Sequence, residues 1–390
     1  MSRDPLRLLK QARPAELDPS APVAEEIRQA ELTAAMASGV PSREKAGAVR
    51  AARRGPARLG WGVGLAGVLT AAAVAFSVLP PETPADGRTS PAPSASGQAA
   101  PGVVALDAKT VLLAAAQGAA ESPKETGDYW ERVVVSRSYG RTGASPSAYT
   151  VVTSDRQESW IPNVKGGRIW NRQQYLGTRP ATPQDEAAWR AQGSPTSIPV
   201  YFRKGKGTLA PLEVAPGEVK TESSLPLDGD KVFWLGRNVS MRDLRELPAD
   251  AAKLRSWLLG FYTGSDTEAE GVPMERDAWL FRVVSGMVTD MPLRPEVRSA
   301  AFTVLSGLKG VTSLGEVTDP EGRPAVAVSA IETTDNGVLE HRIYLDRTRG
   351  QSLAYEITIK KPAGLNAHFP ANSPLSSTTV ISTTWTAAHP

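Results

Sequence analysis

Apolar positions fall into distinct regimes along the 390-residue chain. From Leu59 to Leu79 they run together with no charged residue among them. At about 1.5 Å of rise per residue this run makes roughly 32 Å of helix, the thickness of a ~30 Å hydrocarbon core, so it predicts one membrane span. Before it, residues 1–58 show two short apolar faces, Leu6, Leu8 and Leu9, then Val23, Ile27 and Leu32, interrupted by Pro5, Pro14, Pro19, Pro22 and Pro41. Neither face makes a core alone, and the pattern predicts a partly disordered tail that gains order against a partner. After the span, residues 80–102 are dominated by Pro, Ala, Ser, Thr and Gly and hold no large apolar side chain. Such a segment buries too little to offset the entropy of ordering and reads as an extended linker.

From about residue 103 to 390 the pattern becomes that of a folded domain. Asp107 is placed to cap a helix over Ala108–Ala120 with Val111, Leu112, Ala115 and Ala116 on one face. Short β-branched and aromatic runs predict strands at Tyr129–Tyr139, Tyr149–Thr153, Glu158–Ile161, Arg168–Leu176 and Val200–Phe202. A 3.6-residue period then predicts helices over Ser240–Leu247, Ala249–Tyr262, Glu275–Thr289 and Pro295–Leu308. Strands return at Val311–Val317, Ala325–Glu332, Val338–Asp346 and Ser352–Ile359, with Asp346 to Gly350 as a hairpin turn. The expected class is α+β, an antiparallel β-rich domain with a helical insertion.

Charge sets the orientation. Residues 1–58 carry 11 Lys/Arg against 7 Asp/Glu, and Arg53, Arg54 and Arg58 abut the span. Basic flanks are retained inside, which places the N-terminus in the cytoplasm and residues from Pro80 outside the cell membrane. A cleaved signal peptide competes through Ala73-Val74-Ala75, but the 58 residues ahead of the run favour a retained signal-anchor. The basic cluster also suits anionic headgroups of the bilayer. Residues 80–390 balance 33 Lys/Arg with 34 Asp/Glu, so nothing in the external part points to nucleic acid. Gly60, Gly64, Gly67 and Ala71 permit close helix pairing, so a homodimer through the span is a further expectation.

Candidate chemistry is sparse. The chain has no cysteine, which excludes disulfides and thiol catalysis, and its histidines are His341, His368 and His389. No Ser-His-Asp set and no metal-ligand spacing emerges, so no catalytic residue, metal or cofactor is expected. Ser306 and Lys309 match Ser-x-x-Lys without the partner motifs of that chemistry. Lys204 to Thr208 lacks the leading glycine of a phosphate loop and reads as a hairpin tip, while Asp228-Gly229-Asp230 reads as a tight turn. The external tryptophans serve first as core. Trp257, Leu258, Phe261, Trp279 and Phe281 exceed what one helical stripe needs, and part of them is expected to line an apolar cleft for a hydrophobic ligand.

Several stretches carry a family likeness: Leu112 to Ala116, Tyr129-Trp130, Glu158-Ser159-Trp160, Leu247 to Asp250, Val297 to Phe302, and Leu345-Asp346 with Gly350, together with the single span and Pro/Ser linker. These resemble an uncharacterised actinobacterial family of single-pass membrane proteins commonly encoded beside extracytoplasmic-function sigma factors. The external strand pattern is similar to the open half-barrel of LolA/RseB-type proteins. The resemblance implies a regulatory sensor in which Leu6, Leu8, Leu9, Val23, Ile27 and Leu32 contact a sigma factor or another cytoplasmic regulator. That contact would be zinc-free, since residues 1–58 contain neither His nor Cys. The rival is a carrier or scaffold for lipid or cell-envelope material with an inert tail; an extracytoplasmic hydrolase is the third class.

Overall fold

A computed structural model describes residues 106–390 apart from 144–146, 201–210, 225–230, 236, 267–271 and 347. The tail, span and linker expectations, with the Lys204–Thr208 and Asp228–Asp230 motifs, lie outside the described residues. Among the described residues no helix is long and apolar enough to cross a membrane.

The domain is α+β, built on one antiparallel sheet. Helix α1 (Ala108–Ala120) starts where Asp107 accepts a hydrogen bond from the Thr110 amide at 3.0 Å, as its capping position predicts. Strands β1 (Tyr129–Thr142), β2 (Tyr149–Pro162) and β3 (Trp170–Pro180) form a meander. Then come α2 (Pro183–Ala191), the short strands β4 (Ser197–Ile198), β5 (Leu212–Glu213), β6 (Lys220–Ser223), β7 (Lys231–Trp234) and β8 (Arg237–Ser240), and the helical section. That section holds α3 (Met241–Arg245), α4 (Ala251–Leu259), α5 (Arg276–Asp290) and α6 (Pro295–Ser306). Pro292 forces Met291 into extended backbone and ends α5; Pro295 at the first turn starts α6. Strands β9 (Thr312–Thr318), β10 (Pro324–Thr334), β11 (Gly337–Asp346), β12 (Gln351–Pro362) and β13 (Ser373–Thr386) complete a sheet of order β6-β3-β2-β1-β13-β12-β11-β10-β9.

Three local expectations are corrected. The predicted pair Tyr149–Thr153 and Glu158–Ile161 is one strand, β2, because the polar run Ser154 to Gln157 is paired on both sides by β1 and β3. Helix α2 was not expected, although Thr182 caps Asp185 at 3.1 Å and Pro183 stands at its first position. Strand β13 was not expected either, yet it sits between β1 and β12 at the centre of the sheet.

One face of the sheet and the helices form the main core. Trp130, Val326, Val328, Ile343, Leu345 and Tyr355 pack there with Leu112, Leu254, Leu258, Trp279, Phe281 and Phe302. Burying each such side chain contributes about 1.5–3 kcal/mol. Helix α1 meets the β11–β12 turn so closely that a Cβ on Gly350, at φ +58°, would lie 2.3 Å from the Ala115 carbonyl oxygen. Only glycine fits that approach and that backbone conformation.

The opposite face is inside a curl. Side chains alternate along β1, so Trp130 and Arg132 face the helices while Val133, Val135 and Arg137 face away. Arg137 nevertheless lies 2.5 Å from Glu321, in the turn between β9 and β10. In a flat sheet β1 and β10, four strand steps apart, would be ~19 Å apart. Arg323 of the same turn reaches the Leu353 carbonyl on β12 at 3.1 Å. The sheet therefore folds its β9–β10 end over the face turned away from the helices. Ala325, Ala327 and Ala354 cluster with Tyr344 there, small side chains that suit a tight bend.

Candidate functional site

The inner face of the curl is polar, and the register shows why. Arg137 opposes Ser377, which opposes Glu356, then Arg342, then Ser329, in one row across β1, β13, β12, β11 and β10. Directly opposed residues share a face, so the row runs along the interior. Arg342 donates to Glu340 at 2.5 Å and to Glu356 at 3.1 Å; Tyr344 donates to Glu356 at 3.2 Å, and Ser329 to Glu340 at 3.2 Å. Farther along, Glu158 pairs with Arg156 at 2.9 Å and Arg172 at 3.0 Å. Burial pushes Glu340 up, but hydrogen bonding and charge from Arg342 outweigh it and hold the carboxyl below its ordinary value. Burial and the Glu356 charge push the Tyr344 hydroxyl up to about 12. The same two causes raise Tyr139, against Arg137 and Arg179.

The row is not closed. Arg137 spends Nη2 on Glu321, and its Nη1 is buried with no hydrogen-bond partner; the Ser377 and Thr379 hydroxyls are in the same condition. An unpaired buried polar group costs about 1–3 kcal/mol, so these three groups on one face call for water or another hydrogen-bonding partner.

A second polar set lies on the helix side of the same strands. His341 Nδ1 is 2.5 Å from the Tyr355 hydroxyl, and its Nε2 is 2.6 Å from Glu332. The Nε2–Glu332 contact is short but poorly aligned for a hydrogen bond, since length alone does not make one. Arg282 pairs with Asp266 at 2.7 Å nearby. Burial pushes Glu332 up, yet the His341 contact and the Arg282 charge carry it below its usual value; burial pushes the Tyr355 hydroxyl up. Tyr355 and His341 are 2 % and 3 % exposed. Both are buried on the helix side of the sheet.

The aromatics proposed for an apolar cleft divide. Leu258, Trp279 and Phe281 are buried in the main core, at 0 %, 1 % and 1 % exposure. Trp257 and Phe261 are half-buried at its edge, 4.9 Å apart. Trp257 stacks on Trp234 at 5.8 Å, and Arg237 lies 4.5 Å over the Phe261 ring. Ser306 ends α6 by donating to the Thr303 carbonyl, which is helix-end chemistry. His389 stacks on Trp170, and among the described residues no group of His, Asp and Glu is arranged to hold a metal.

Sequence reasoning missed Arg137, Ser377 and Thr379. The available signal was a polar or charged residue at every second position, Glu340, Arg342, then Glu356, Thr358, Lys360, inside otherwise apolar strands. No family model matches the chain, and no curated protein matches it significantly.

Proposed function

We propose that this chain is a membrane-anchored extracytoplasmic sensor: the inner face of its curled sheet holds a polar ligand, and its N-terminal tail modulates a sigma factor or another cytoplasmic regulator. The observation that supports the ligand half is the set of unpaired buried donors on that face, Arg137 Nη1 with Ser377 and Thr379. The open half-barrel likeness and the span at residues 59–79 support the anchored, external placement. A charged interior favours a polar ligand over an acyl chain, which leaves Trp257 and Phe261 as the remaining apolar surface of the original five.

The tail separates this reading from that of a carrier with an inert tail. Short amphipathic helices are marginal in water and order on a partner's groove at a cost of about 2–5 kcal/mol. A peptide of residues 1–50 is expected to gain helicity with the cognate sigma factor, and Leu8→Asp with Ile27→Asp to abolish the gain. A tail that binds no such partner, and whose deletion leaves transcription unchanged, removes the regulator and leaves the carrier.

A further inference from the structure

We infer that the inner face of the curled sheet is an oxyanion site, in which a small carboxylate-bearing molecule is held between the Arg137 guanidinium and the hydroxyls of Ser377 and Thr379. The inference deepens the sensor reading and rests on its ligand half. Ser377 opposes Arg137 across the β1–β13 pair, and Thr379 opposes Val135 one pleat repeat along. All three side chains therefore share the face, within about 7 Å along the strand.

The missing partner's chemistry follows from the donors. The Arg137 side chain is nine-tenths buried, 10 % exposed, and Ser377 and Thr379 are 4 % and 0 % exposed. A guanidinium only donates, so whatever satisfies Nη1 must accept; Glu321 already offsets the charge, and the free fork of the guanidinium is shaped for a second carboxylate. The molecule supplies its own precedent, because the Glu321 carboxylate already sits on Nη2 at 2.5 Å. Glu356, on the far side of Ser377, brings a negative charge whose Oε1 is engaged by Arg342, Tyr344 and Thr358. That charge disfavours a dense dianion and makes a monoanionic carboxylate the better fit than phosphate. Glu321, which pairs with Arg137 from the hairpin turn, has a side chain 29 % exposed.

The test is thermal unfolding of the full-length chain in detergent, titrated with acetate, inorganic phosphate and chloride at equal ionic strength. Acetate is expected to raise the melting temperature beyond chloride at millimolar concentration, with phosphate weaker. Arg137→Gln should abolish the rise, and Ser377→Ala, a one-atom deletion that leaves the strand intact, should weaken apparent affinity by roughly tenfold. If Arg137→Gln fails to fold, Ser377→Ala decides. Equal effects of acetate and chloride mean that water completes the three groups and overturn the site. A rise that survives Ser377→Ala at full strength places the anion elsewhere and also overturns it. Either failure leaves the tail's regulatory role standing, since the peptide and deletion measurements do not depend on the anion.

Discussion

Replacing Arg132 with alanine is expected to lower folding stability by about 3–5 kcal/mol, and Asp290→Ala by a similar amount. The two form an ion pair between β1 and the last residue of α5, with side chains 2 % and 6 % exposed. Burial pushes the Asp290 carboxyl up, against the pull of Arg132. Without Arg132 nothing offsets that burial, and Asp290 must take a proton or expose itself. The cost belongs to the orphaned charge more than to the attraction, because ion pairs replaced by apolar groups of similar volume lose little. Arg132→Met with Asp290→Leu should therefore lose far less than either alanine variant. Denaturant unfolding of the four proteins checks this. A double variant as unstable as the sum of the singles would show that the two residues contribute independently, and that neither single loss is the cost of an orphaned charge.

Trp279→Ala is expected to cost about 3–5 kcal/mol, and Trp257→Ala only about 1 kcal/mol, although both tryptophans belong to the helical section. Trp279 is 1 % exposed and packs against Tyr262 at 5.4 Å, so its loss leaves a cavity that the surrounding core fills only in part. Trp257 is half-buried; its loss removes a stack on Trp234 and opens no void. Melting the two variants side by side measures the difference. Equal losses would make Trp257 core as well and leave Phe261 alone as apolar surface among the five aromatic and leucine positions.

Much of this fold was legible because its two periodicities are clean. The cap at Asp107, α5 and α6 with their prolines, and strands β9 to β12 all stand within a few residues of where periodicity puts them. What was illegible shares one cause. β13 reads Ser-Pro-Leu-Ser-Ser-Thr-Thr-Val, polar enough to pass for a loop, and the middle of β2 reads Ser-Asp-Arg-Gln. Strand reading expects one apolar face, and these strands turn polar residues into the interior of a curl. The same expectation hid the candidate site. Ser377 and Thr379 acquire meaning only when β13 pairs with β1 and puts them beside Arg137, a contact more than two hundred residues apart in sequence. The helical aromatics erred the other way: their excess of bulk fills the space between four helices and the sheet, so three of five are core.

The account depends most on the domain lying outside the membrane while the tail lies inside, and a reporter active only outside tests that directly. In the proposed topology, with Arg53, Arg54 and Arg58 on the cytoplasmic side, the reporter should be active when fused after Gly102 and silent when fused after Arg43. Activity after Arg43 and silence after Gly102 would contradict the orientation, and with it a sensor that reads the exterior and signals inward.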